Sequence, residues 1–196
     1  LASKESTNFF SVNSEIGLKR KNIIYKKIKK DSIKKVMFMG YPMNITRYTG
    51  DVYCFFHYKL KLQINILKKL KKLGYYTIYK AHPDRLMEIG SLMNGYADEC
   101  DNNKFENVWN KADALIFTYC TTTTFGFAIT TPLPIVLLNE TTTDWDHQKK
   151  LQIQKRIHIL NYKYSNTNYR EISSLNLNKG LKMAQNKIAI DQIKQI

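Results

Sequence analysis

Tyr75-Tyr76-Thr77-Ile78-Tyr79-Lys80 runs directly into Ala81-His82-Pro83, and the reading of this stretch decides the fold. The first six residues are rich in aromatic and β-branched side chains and read as a buried strand. Pro83 has no N–H to give a strand ladder and suits the first turn of a helix, expected over 84–91. A strand that ends where a helix begins is the unit of a parallel α/β sheet, and such sheets place their ligands outside the carboxyl ends of the strands.

Working outward, the same unit recurs. Lys35-Val36-Met37-Phe38-Met39 is a short apolar run stopped by Gly40-Tyr41-Pro42. Leu60, Ile64, Leu67 and Leu70 recur at helical spacing within 52–73, and Gly74 stands where a C-terminal cap belongs. A short helix is expected over 105–111. Ala114-Leu115-Ile116-Phe117 is a third strand, the threonines after it open a helix near 122–130, and Pro134-Ile135-Val136-Leu137-Leu138 is a fourth strand. Helices near 145–156 and 177–194 follow, with a short strand at 157–160 and a polar loop between. Uniformly apolar strands alternating with helices imply a Rossmann-like parallel sheet covered on both faces. That domain is assigned to 34–196, after a linker and short amphipathic helix in 1–33.

The chain has 196 residues, long enough for one domain with a real core. Its 31 Lys+Arg against 16 Asp+Glu give a formal charge of +15, mostly from lysine pairs such as Lys68-Lys69 and Lys71-Lys72. The lysines are not interleaved with aromatics along the sequence, and arginine is scarce, so nucleic acid is not the expected partner. An anionic membrane surface is compatible with the charge. Cys54, Cys100 and Cys120 are odd in number and widely spaced, which suggests neither a disulfide framework nor a zinc site and fits a reducing cytoplasm. No apolar run is long enough for a membrane-spanning helix, and no signal peptide is visible.

The candidate ligand-binding residues sit at the strand ends. Pro83 keeps His82 extended, so its imidazole stands where a helix N-terminus begins, a pairing suited to phosphate. Lys80, two residues earlier on the strand, points to the same side and is either an added charge or a solvated one. Thr121-Thr122-Thr123-Thr124 offer more hydroxyls than one helix cap requires. Gly40 is a third, weaker phosphate neighbour, with no dinucleotide or P-loop signature around it. His57 reads as a packed or surface residue of its helix. Asp144, Asp146 and His147 read as a loop-to-helix cap rather than a metal site, and no metal or cofactor is expected. A thiol nucleophile at Cys120 is disfavoured, because nothing in the sequence orients it towards His82.

Tyr79-Lys80-Ala81-His82-Pro83, Ala112-Asp113-Ala114-Leu115-Ile116-Phe117, the threonine run, Phe125 and Pro134-Ile135-Val136 together resemble a known pattern. It looks like the C-terminal, donor-binding half of GT-B-fold glycosyltransferases that build bacterial surface polysaccharides. That group includes the capsule Kdo transferases, the polysialyltransferases and the CDP-glycerol glycerophosphotransferases. The resemblance covers about residues 34–140. It implies that His82 and Thr121, Thr122 and Thr123 hold the phosphates of a nucleotide-activated sugar. It also implies a saccharide or lipid-linked acceptor and a place in the cytoplasm at the inner face of the plasma membrane.

Two positions depart from the pattern: Gly126 stands where an acidic residue is usual, and Pro132-Leu133-Pro134 replaces the usual glycine before the last strand. The general base of such enzymes belongs to an N-terminal half. The chain is therefore expected to be a fragment, inactive alone. The alternatives are a sugar-nucleotide 2-epimerase-like enzyme and a non-catalytic basic module for nucleic acid or membrane.

Overall fold

The computed structural model describes residues 32–41, 56–83, 86–139, 147–166 and 169–187. The expected linker and helix in 1–31 and the residues Asp144 and Asp146 lie outside these. Elements follow in the order β1 (Lys35–Met39), α1 (Phe56–Lys72), β2 (Tyr76–Lys80), α2 (Leu86–Met93), β3 (Glu99–Asp101) and α3 (Phe105–Val108), the last followed by a 3₁₀ turn, Trp109–Lys111. Then come β4 (Ala114–Phe117), α4 (Thr123–Thr130), β5 (Ile135–Asn139), α5 (His147–Arg156), β6 (His158–Asn161), the short strands β7 (Lys163–Tyr164) and β8 (Arg170–Glu171), and α6 (Ser174–Gln185).

The main sheet has six strands in the order β3-β2-β1-β4-β5-β6, all parallel. This is the doubly wound Rossmann order, which reverses between β1 and β4. Both faces are covered, and the strands divide their side chains between them. Val36, Phe38, Tyr79, Ala114, Ile116, Val136 and Leu138 pack under α1 and α6. Met37, Met39, Ile78, Leu115, Phe117, Ile135 and Leu137 pack under α3 and α4. Burial on both faces is why these strands are apolar throughout rather than alternating.

Two sequence features set the geometry. Asp113, just before β4, accepts the N–H groups of Lys34 and Lys35 at 2.9 and 2.7 Å, which fixes the entry of β1 beside that of β4. Gly74 has a φ of +84°. It closes α1 with the Tyr75 N–H on the Leu70 carbonyl and its own N–H on that of Lys71, the double-bonded helix stop that favours glycine.

The structure adds what the sequence did not announce. β3 is a polar three-residue edge strand, and β7 and β8 pair antiparallel inside the segment expected to be loop. The last helix begins at Ser174, earlier than its apolar spacing suggested, because the Ser173 hydroxyl accepts the Asn176 N–H at 3.1 Å and caps it.

Candidate functional site

The expected ligand-binding residues arrive at the carboxyl ends of three adjacent strands, β2, β1 and β4. His82 follows β2 and is half-buried. Gly40 follows β1, and the threonines follow β4.

The β4 end is built around α4. Thr122 has an extended backbone, and its hydroxyl accepts the Phe125 N–H at 3.0 Å, making it the N-cap. Thr121 and Thr123 are exposed beside it. The first-turn N–H groups of Thr123 and Thr124 have no intrahelical acceptor, as at any helix start. Phe125 and Phe127, on the buried side, lock the helix to the sheet; Phe117 and Phe125 meet edge to face at 5.1 Å. The opposite end of α4 is closed by side chains. Thr130 and Thr131 donate to the Phe127 and Ala128 carbonyls, and Arg156 donates to that of Ile129 at 3.0 Å. The same guanidinium bonds the carbonyls of Thr131 and Leu133. Arg156 is 1% exposed and has no carboxylate partner among the described residues; burial lowers its pKa to about 10, so it stays charged at neutral pH. A buried cation thus sits at the negative end of a helix whose positive end carries the threonines.

Lys80 is not solvated. It is 7% exposed, and its ammonium donates to the Ala81 carbonyl at 2.8 Å. Burial lowers its pKa, against the raising influence of the Asp101 and Glu106 charges. Ile78 of the same strand belongs to the α4-side core, so by strand alternation Lys80 lies on that face too. The ammonium is retained inside the sheet edge because a main-chain oxygen is within reach.

Gly40 is required by packing. Its N–H donates to the Lys80 carbonyl at 2.8 Å, and a Cβ there would stand 2.7 Å from the Tyr79 hydroxyl and 2.9 Å from the Lys80 carbonyl oxygen. That close approach of β1 to β2 accounts for the glycine without a phosphate.

On the other face, where the strand order reverses, the structure forms a small cleft lined by Tyr41, Lys59, Gln63, Thr118, Tyr162 and Arg170. Lys59 and Gln63 stand four residues apart on α1. Gln63 is buried, and its carbonyl oxygen accepts the Tyr41 N–H at 3.2 Å and the Tyr79 hydroxyl at 2.9 Å.

The remaining expectations resolve individually. His57 is exposed and lies against Tyr58, ring centroids 3.9 Å apart. Cys120 is half-buried, and burial pushes its thiol pKa up, away from nucleophilic character. Lysines that are not interleaved with aromatics along the sequence do meet them in space. Lys59 lies over the Tyr41 ring at 4.1 Å, Lys61 over Tyr169 at 3.4 Å and Lys68 over Tyr96 at 5.1 Å. Among the described residues no group of three His, Cys, Asp or Glu side chains could hold a metal ion, and no helix is long and apolar enough to cross a membrane.

The fold and this edge define a Rossmann-like α/β domain with polar groups gathered at its strand ends. No protein-family model matches the chain, and no curated protein matches it. Among solved structures it is similar to KpsC of Thermosulfurimonas dismutans, a β-Kdo 2,7-transferase, at 21% identity and a TM-score of 0.36. That match covers 65% of this chain, which spans 43% of the transferase. It is also similar to MT0777, at 15% identity and a TM-score of 0.43, over 78% of this chain and 97% of that one.

Proposed function

We propose that this chain is the donor-binding half of a GT-B-type glycosyltransferase and takes a nucleotide-activated sugar at the carboxyl edge of its sheet. One observation carries the reading. His82, after β2, and the Thr122-capped start of α4, after β4, flank the end of β1 along one sheet edge. An imidazole donor, hydroxyls and unbonded first-turn N–H groups there suit a diphosphate.

In this scheme His82 hydrogen-bonds the donor phosphate. Thr121, Thr123 and the first turn of α4 meet the remaining oxygens, while the Thr122 hydroxyl holds the helix start in place. As the sugar–phosphate bond breaks, negative charge builds on the leaving nucleotide, and these fixed donors stabilise it. Lys80 acts through position rather than contact, tying the end of β2 to its own turn. The general base and the acceptor site, for a saccharide or a lipid-linked saccharide, belong to a further domain. The positive face of α1, where Lys61, Lys68 and Lys72 recur on one exposed side, would hold the domain near an anionic membrane.

The test is a calorimetric survey of CMP, CDP, UDP and GDP against the chain and its His82→Ala variant. One nucleotide should bind preferentially, and H82A should weaken it about tenfold, the effect of losing one hydrogen bond to a charged group. An H82A affinity equal to that of the wild type would remove His82 from the site. Salt-sensitive binding of random DNA, without nucleotide preference, would favour the basic-module alternative instead.

A further inference from the structure

We infer that the open cavity framed by the end of β6, the β7–β8 ribbon, the start of α6 and Lys69 of α1 binds an acidic sugar ring, one with several hydroxyls and a single carboxylate. The cavity lies at the carboxyl end of β6, two strands beyond β4. It shares no residue with the His82 and threonine edge, so it stands or falls independently of the donor-phosphate reading.

Size and wall chemistry set the ligand class. The cavity holds about 280 Å³, just below the range of about 300–1,000 Å³ typical of ligand pockets, so it admits one small molecule. Among the described residues that line it there is no aromatic ring, so a flat ligand would find nothing to stack on. The walls instead offer amides at Asn161 and Asn176, a carboxylate at Glu171 and ammonium groups at Lys69 and Lys163. Amides both donate and accept, and a carboxylate accepts from two hydroxyls at once, which suits the neighbouring hydroxyls of a sugar. The ammonium groups outnumber the carboxylate, and this surplus of positive charge selects a ring with a carboxylate of its own.

The arrangement keeps these groups available. Lys163 and Glu171 stand directly opposite each other in the β7–β8 pairing, which puts them on one face of the ribbon. Opposite charges so placed could meet across it, yet no ion pair joins them, and both side chains line the cavity. The Lys69 ammonium donates to the Ile172 carbonyl at 2.6 Å, which fixes it in the wall and leaves its two other N–H bonds for a ligand. The Ser173 hydroxyl is spent on the Asn176 N–H at 3.1 Å, while the Asn176 side-chain amide is uncommitted among the described residues. A single rigid ring can therefore engage Lys163, Glu171 and Asn176 together, with little freedom of its own to lose.

Glucose, glucuronate and glucosamine share one ring and differ in charge, so they are the probes, titrated at constant ionic strength with acetate as the control for bare charge. The readout is the backbone amide shifts of Lys163 and Glu171 and the side-chain amide shifts of Asn161 and Asn176. Glucuronate should give saturable shifts and bind more tightly than glucose, with glucosamine weakest. K163Q should weaken glucuronate about tenfold, the loss of a hydrogen bond between charged groups, and so abolish its advantage over glucose. N176A should weaken both sugars about fivefold. Lys163 and Asn176 are exposed, so both variants should keep the wild-type Tm. Methyl glucuronide binding as tightly as glucuronate would assign a residue of a saccharide chain, and a marked loss would assign a free sugar. The inference is overturned if no sugar gives saturable shifts, if acetate moves the same signals as glucuronate does, or if glucose or glucosamine binds as tightly as glucuronate. It is also overturned if K163Q keeps the full preference, or if N176A binds like the wild type.

Discussion

Thr122 and Phe125 are joined by a 3.0 Å hydrogen bond from the Phe125 N–H to the Thr122 hydroxyl, and this contact starts α4. Of the four consecutive threonines, Thr122 is the cap. Replacing it with alanine removes that acceptor and should destabilise the chain by about 1 kcal/mol. At this chain length that lowers Tm by about 2–4 °C. T122S should restore most of the loss, and T121A should leave Tm unchanged, because Thr121 is exposed and outside the cap. A T121A variant as unstable as T122A would contradict the assignment of the cap.

Gly40 is a point of close approach between β1 and β2. G40A should destabilise by about 1–3 kcal/mol, since its new methyl group meets a main-chain oxygen that cannot rotate away. Adding Y79F removes the hydroxyl half of the collision and leaves the Lys80 carbonyl. Chemical denaturation of the single and double variants should therefore show partial recovery only. Full recovery would place the whole conflict on the tyrosine.

Arg156 bonds the carbonyls of Ile129, Thr131 and Leu133. R156M keeps an unbranched apolar stem and strands those oxygens in the interior, which should cost about 3 kcal/mol or more. R156K, which can reach fewer of them, should fall between the two. Urea unfolding is the measurement, and an R156M chain as stable as the wild type would show that the carbonyls find other donors.

Asp101 gives the chain an acid sensitivity. Burial alone would raise its pKa, but the Lys111 ammonium at 2.6 Å and the hydrogen bonds from Asn103 outweigh this and hold it below the usual carboxylate range. A carboxyl depressed on folding contributes stability that is present above its unfolded pKa of about 4 and is lost as pH falls towards its folded value. Tm should thus decline from pH 5 to pH 2, and D101N should flatten part of that decline while lowering Tm at neutral pH. An unchanged slope in D101N would assign the acid sensitivity to other carboxylates, Asp98 first, whose pKa is also lowered.

Much of this was legible in the sequence because a parallel sheet buried on both faces needs uninterrupted apolar runs. Val36–Met39, Ala114–Phe117 and Ile135–Leu138 could be little else. Glu99-Cys100-Asp101 could not be read as a strand, since an edge position tolerates polar residues and three of them carry no period. At the strand ends, the cap among the threonines followed from chemistry local to a few residues. Lys80 did not. A lysine in sequence reads as solvated, and only the tertiary packing reveals a carbonyl close enough to keep its ammonium inside. The switch-point cleft was invisible for a different reason: Lys59, Thr118 and Arg170 come from distant parts of the chain, and no motif spans them.

The strand order has a consequence for how the molecule is made. β1 comes earliest in the chain of the six sheet strands, yet it lies in the middle, pairing Val36 with Thr77 on one side and with Ala114 on the other. During synthesis it emerges long before its second partner exists. Until β4 follows, one of its hydrogen-bonding edges is open and its apolar faces are incompletely covered, a condition that invites off-pathway association. The slow step of folding should therefore be the docking of β4 onto a β1–β2 pair already in place, a closure between distant parts of the chain.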